Sequence, residues 1–162
     1  MAGIWKDKRM PTFKLGDPAP EFSLEDCFGK VVSSADLRGK KFLLYFFTSP
    51  GGNNWTRVAL GYREHADEFA EKNLVVYGIN DKDPEVAKNW VAEQDLPFSV
   101  LMDYGRTVGI AYGMSEKDSD RYVANAAEGR RPAVLVDEEG LIVAWEPDIN
   151  SVEKVAELLA SI

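Results

Sequence analysis

The stretch "KFLLYFF", residues 41 to 47, constrains the chain more than any other. It is a nearly unbroken apolar run rich in aromatic side chains. A run this short and this continuous is expected of a strand covered on both faces. A Gly/Asn-containing turn follows it. Next, "WTRVALGYREHADEFAEKN" (55 to 73) places Val58, Tyr62, Ala66 and Phe69 on one face at spacings of four, four and three, the pattern of an amphipathic helix. "LVVYGIN" (74 to 80) repeats the buried-strand pattern. "DPEVAKNWVAEQD" (83 to 95) then opens with Asp83 as a helix cap and Pro84 at the first helical position. This strand, helix, strand, helix alternation requires a central sheet with helices packed upon it.

The remaining segments fit around that sheet. Residues 1 to 13 lack periodicity and are expected to form an N-terminal extension, with a single domain over 14 to 162. The stretch from Lys14 to Lys41 predicts an entry hairpin with a turn at "CFGK" and one helical turn at "SSADL". "PFSVLMD" (97 to 103) predicts a short strand, "YGRTVGIAYGM" (104 to 114) a weak helix ending at Gly113, and residues 115 to 131 a polar connection. "PAVLVDEEGLIVAWEP" (132 to 147) has the form of a hairpin turning at Glu138, Glu139 and Gly140. "SVEKVAELLASI" (151 to 162) predicts a closing helix capped by Ser151. The expected architecture is α/β and thioredoxin-like, a central mixed sheet flanked by helices, with an N-terminal β-hairpin.

Composition narrows the function. The 162 residues suffice for one well-buried core, and 45% hydrophobic with 28% charged residues argues against disorder. A net charge of −8 disfavours nucleic acid and anionic membrane surfaces as partners. The opening residues are charged by the sixth position and no stretch is long and apolar enough to cross a bilayer, so a cytoplasmic protein is expected. One cysteine, Cys27, cannot form an internal disulfide or a CxxC pair. One histidine, His65, is expected on the solvent side of a helix rather than as a metal ligand. No metal and no cofactor are expected.

The turn "FFTSPGGNNW" occupies the place where such folds keep their chemistry, yet it has no Cys, His, Asp, Glu or Lys. "LGDPAPEFSLED", "LRGKKFLLYFF", "GYREHADEF", "VVYGINDKDPEVAKNW", "LPFSVLMD", "AYGM" and "RRPAVLVDEEG" together make the chain from about residue 14 to 162 resemble a peroxiredoxin of the AhpC/TSA family, closest to the bacterioferritin-comigratory type. The resemblance implies a P-x-x-x-T-x-x-C motif after the first central strand and a distant Arg. In that arrangement the helix dipole and the cation favour the thiolate while the Thr hydroxyl orients the peroxide. Aligned without gaps, this chain has Thr48 at the Pro, Gly52 at the Thr and Trp55 at the peroxidatic cysteine. Arg131 falls at the family's Arg, and Leu60 stands where some members keep a partner cysteine.

Indole cannot act as a thiolate nucleophile. The reading favoured by the sequence is therefore a peroxiredoxin-like protein without peroxidase activity, acting as a binding or regulatory module. Catalytic residues are absent from this reading, and Thr48, Gly52, Asn54, Trp55 and Arg131 form the candidate ligand-binding set. The second reading is a thiol-dependent peroxidase, as family membership implies. The turn can also be a plain strand-to-helix connection built on Gly and Asn. G-x-x-x-x-G-K-[ST] and G-x-G-x-x-G are both missing, which argues against nucleotide binding. Backbone N–H groups at the helix start, with Arg131, suit a small anion. Trp55 suits either a protein partner or a plug over the vacated pocket, half-buried or more, and the chain is expected to be a monomer or homodimer. Arg131–Pro132 is expected to be a cis peptide, and Cys27 a small hydrophobe or an incidental thiol.

Overall fold

The computed structural model describes residues 14–47, 53–112, 133–146 and 152–162, with the backbone alone for 53–55 and 152. The apolar run forms β3 (Lys41–Phe46), whose residues from Phe42 onward are all buried. It lies in the middle of a five-stranded sheet of order β5-β4-β3-β6-β7. β4 (Leu74–Asn80) and β5 (Val100–Met102) run parallel to it, β6 (Ala133–Val136) runs antiparallel to it, and β7 (Ile142–Glu146) pairs antiparallel with β6. The expected mixed sheet is thus observed. So is the N-terminal hairpin, β1 (Ser23–Glu25) with β2 (Val31–Ser33), followed by a 3₁₀ turn at Ala35–Leu37.

Alternation along β3 divides the core between the two faces of the sheet. Leu43, Tyr45 and Phe47 point to the face covered by α1 (Asn53–Glu64), α2 (Ala66–Glu71), α3 (Pro84–Glu93) and α5 (Val152–Ser161), which contribute Val58, Tyr62, Phe69, Trp90 and Val155. Phe42, Leu44 and Phe46 point to the other face, where the hairpin and α4 (Thr107–Ala111) supply Phe22, Val32, Leu37, Val108 and the adjoining Tyr112. Because both faces are covered, β3 has no solvent side, and this is why its sequence does not alternate.

Two expectations about element boundaries change. Residues 55 to 73 do not form one helix: α1 ends at Glu64, and His65 leaves helical geometry at φ −104°, ψ 12°. The break re-aims α2 so that the Phe69 ring lies 6.1 Å from the Tyr62 ring, after which Asn73, at φ 60°, turns the chain into β4. Val58, Tyr62 and Phe69 are buried as expected, whereas Ala66, next to the break, is only half-buried. His65 is half-buried and its Nδ1 lies 3.2 Å from Glu68 Oε1. The strand expected from Pro97 begins only at Val100, because Pro97 has no N–H for the ladder. Gly113, Ser151, the connection 115 to 131 and the extension 1 to 13 lie outside the described residues.

Candidate functional site

The parallel strands β3, β4 and β5 end together, and α1 starts at Asn53, six residues after Phe47, with Trp55 and Asn54 in its first turn. β6 begins at the same end of the sheet, since Ala133 pairs with Tyr45. Of the ligand-binding residues expected from sequence, Asn54 and Trp55 therefore take part in a helix start at the carboxyl end of the central strand, the place where α/β sheets bind ligands. Thr48, Gly52 and Arg131 lie outside the described residues, as do the Arg131–Pro132 bond and the Trp55 side chain.

The structure adds residues that grip this turn from outside. Asn80, fully buried at the end of β4, donates from its side-chain amide to the Phe47 carbonyl, and its Oδ1 accepts the Lys82 N–H at 2.8 Å. The Trp90 ring, on α3, sits 5.3 Å from the Phe47 ring, while its Nε1–H donates to Thr56 Oγ1 at 3.0 Å. One segment, 80 to 90, thus holds both the residue before the turn and the residue after Trp55. Sequence reasoning passed over this pair. Asn80 was the available signal, a polar residue closing an apolar strand, where it needs partners to be buried at all.

Beside Asn80, Arg106 Nε bonds Asp81 Oδ2 at 2.6 Å with both side chains largely buried, and Lys82 Nζ lies 3.6 Å from Asp81 Oδ1. The buried Asp103 carboxylate accepts N–H groups of Val108 at 3.1 Å and Gly109 at 2.7 Å, so its charge faces the start of α4 and is complemented by the helix dipole. These groups brace the ends of β4 and β5. Among the described residues no group of three His, Cys, Asp or Glu side chains could hold a metal ion.

Cys27, the only cysteine of the chain, lies in the β1–β2 turn. Asp26 Oδ1 shapes that turn by accepting the Phe28 and Lys30 N–H groups, each at 2.9 Å. The Cys27 N–H donates to the Val100 carbonyl at 2.8 Å, and the residue packs into the core face shared with Tyr45 and Trp90. Val100 pairs with Gly78 and Gly78 with Tyr45, so Cys27 stands beyond two strand spacings, roughly 10 Å, from β3. Burial, and secondarily the Asp26 carboxylate, push its thiol pKa up.

The fold and the placement of its turn define a thioredoxin-like α/β protein. The profile of the AhpC/TSA family matches residues 15–145, and the chain belongs to that family. A Coxiella burnetii protein whose name places it among the bcp peroxiredoxins is 31% identical over 148 residues, 91% of this chain and 97% of its own length. The peroxiredoxin Bcp of Escherichia coli K12 is 31% identical over 134 residues, 82% of this chain and 85% of its own. Among solved structures, the peroxidoxin BcpB of Mycobacterium tuberculosis superposes with a TM-score of 0.80 at 20% identity, covering 92% of this chain and 96% of that one.

The bacterioferritin-comigratory resemblance drawn from the sequence is thereby established, and the chain carries a single cysteine, Cys27. The expectation of a non-catalytic binding or regulatory module is corrected. The relatives matched over most of the chain are peroxiredoxins, and they favour the second reading, a thiol peroxidase. That expectation had given one missing cysteine more weight than a relationship running through the whole domain.

Proposed function

We propose that the protein is a thiol-dependent peroxidase of the peroxiredoxin class, reducing a peroxide with electrons from an external dithiol. Its relationship to peroxiredoxins over 82 to 91% of the chain carries this reading. The chain's only thiol is Cys27, so the chemistry is assigned to it. The Cys27 thiolate attacks one peroxide oxygen, the O–O bond breaks, and water or an alcohol leaves as Cys27 becomes a sulfenic acid. One thiol of the external dithiol then attacks that sulfur, releasing water. Its second thiol closes the reductant's own disulfide and returns Cys27 to the thiol.

A small anion is proposed at the turn carrying Thr48, Gly52, Asn54 and Trp55, with Arg131 as its counter-charge. Residence in the cytoplasm belongs to the same proposal and is supported by the dependence on a single reduced thiol.

The raised Cys27 pKa gives the sign of the pH dependence. Below the folded-state pKa the sulfur is a neutral thiol and a poor nucleophile, so turnover is slow at pH 7 and climbs through the alkaline range. Hydrogen peroxide consumption with dithiothreitol, followed from pH 7 to pH 9.5, tests this. Consumption that rises with pH and vanishes in Cys27→Ser is the expected result. A rate equal to the buffer control throughout overturns the function, and a rate that survives Cys27→Ser overturns the assignment to Cys27.

A further inference from the structure

A cleft of about 680 Å³ opens where β5 parts from β4. Among the described residues β5 pairs only with Gly78–Asn80 and nothing pairs with the first half of β4 on that side, which leaves it one open edge. The ladder bonds show which groups face it. Residues 73 and 79 turn toward β3, as the Lys41 N–H to Asn73 carbonyl bond (3.0 Å) and the Phe47 N–H to Ile79 carbonyl bond (3.4 Å) demonstrate. Gly78 and Asn80 turn toward β5, as the Gly78 N–H to Ser99 carbonyl bond (3.1 Å) and the Asp103 N–H to Asn80 carbonyl bond (2.8 Å) demonstrate. By the same alternation Leu74 and Val76 aim both N–H and C=O at the open side, where Pro97 prevents β5 from continuing.

The walls are apolar, formed by Phe69, Val91, Leu96 and Phe98, with Phe28 at the mouth and 52% exposed. Among the described residues, Asp67, on the exposed side of α2, is the only charged residue of the lining, and no cation lies in it. Tyr62 lies in the same wall, fully buried, and its hydroxyl has no hydrogen-bond partner among the described residues.

We propose that this cleft binds an extended, basic peptide segment of a partner protein, which adds a strand to the Leu74–Val76 edge. An apolar side chain of the segment enters between Phe69 and Phe98, and a Lys or Arg lies against Asp67. Strand addition uses the unpaired main-chain groups for affinity and the pocket for selection. The net charge of −8 draws a cationic segment toward the protein before contact.

The full-length ¹⁵N-labelled protein titrated with acetyl-Lys-Val-Lys-Val-Lys-Val-amide tests the inference. Saturable shifts centred on the Leu74, Val76 and Ser99 amides are expected, with binding at least fivefold weaker in Asp67→Lys. The same peptide with N-methylated valines keeps its charge but loses its strand donors, and it should not saturate. Shifts scattered over acidic surfaces, equal binding by the methylated peptide, or an unchanged affinity in Asp67→Lys would each overturn the proposal. Dissociation of a protein dimer as peptide is added, seen by sedimentation, would also overturn it, by assigning the edge to a second copy of the chain. None of these readings depends on peroxidase activity.

Discussion

The two strand-to-helix junctions on the same face of the sheet are held together by different means. Where β4 passes into α3, the chain supplies its own punctuation. Asp83 Oδ1 accepts the Glu85 N–H at 2.9 Å, and Pro84 occupies the first helical turn, where its missing N–H costs nothing. Where β3 passes into α1, the first helical turn has no acidic residue. The chain on either side is held instead by Asn80 and Trp90, which belong to the other junction. A locally capped connection thus doubles as the scaffold for one that carries the candidate site.

Substitutions can break this division of labour in graded steps. Trp90→Ala should have the largest effect. It removes a side chain only 3% exposed, leaves a cavity against Phe47 and deletes the bond to Thr56, so chemical denaturation should show a loss of about 3 to 5 kcal/mol. A loss under about 1 kcal/mol would mean that α3 does not brace the site turn.

Asn80→Ala comes next. With the Phe47 carbonyl and the Lys82 N–H deprived of a buried partner, a loss of about 1 to 3 kcal/mol is expected. Hydrogen exchange should speed up at residues on both sides of the substitution, in β3 as well as in the loop before α3. Faster exchange confined to that loop would deny Asn80 any role in holding β3.

Asp83→Ala tests the self-capped junction and should cost about 1 kcal/mol, with exchange faster at the Glu85 amide and unchanged in α1. An equal effect in α1 would dissolve the contrast between the junctions. The smallest change is expected of Thr56→Val, which withdraws the acceptor from Trp90 Nε1–H. Because Thr56 is only half-buried, water can take its place, and the loss should stay below about 1 kcal/mol. A loss as large as that of Trp90→Ala would place the indole's contribution in its hydrogen bond rather than in its packing.

Much of the fold was legible in the chain because its signals are local. The run at Lys41–Phe46 could be buried on both faces only in the middle of a covered sheet. The Asp83–Pro84 cap marked α3 to within one residue, and the Glu138–Gly140 turn located the β6–β7 hairpin. The break at His65 was not legible, because the apolar spacing of Val58, Tyr62 and Phe69 fits one straight helix equally well. What bends it is the demand that Phe69 remain against Tyr62 while the chain turns back into β4. The site was legible only in part. The turn and its missing cysteine stand in the sequence, whereas Asn80 and Trp90 lie 33 residues from Phe47 and 34 from Thr56, and nothing local links them.

By itself the sequence determined the class of fold, the family relationship and the chemical inventory, because strand burial, helix capping and the identity of residue 55 are properties of short stretches. Only the tertiary structure decided three things: that Asn80 and Trp90 grip the site turn, that Cys27 is buried against β5 with its thiolate disfavoured, and that half of β4 keeps an open edge. Each of these depends on which strand lies beside which, and on where β5 stops pairing. Those outcomes follow from packing the whole chain at once.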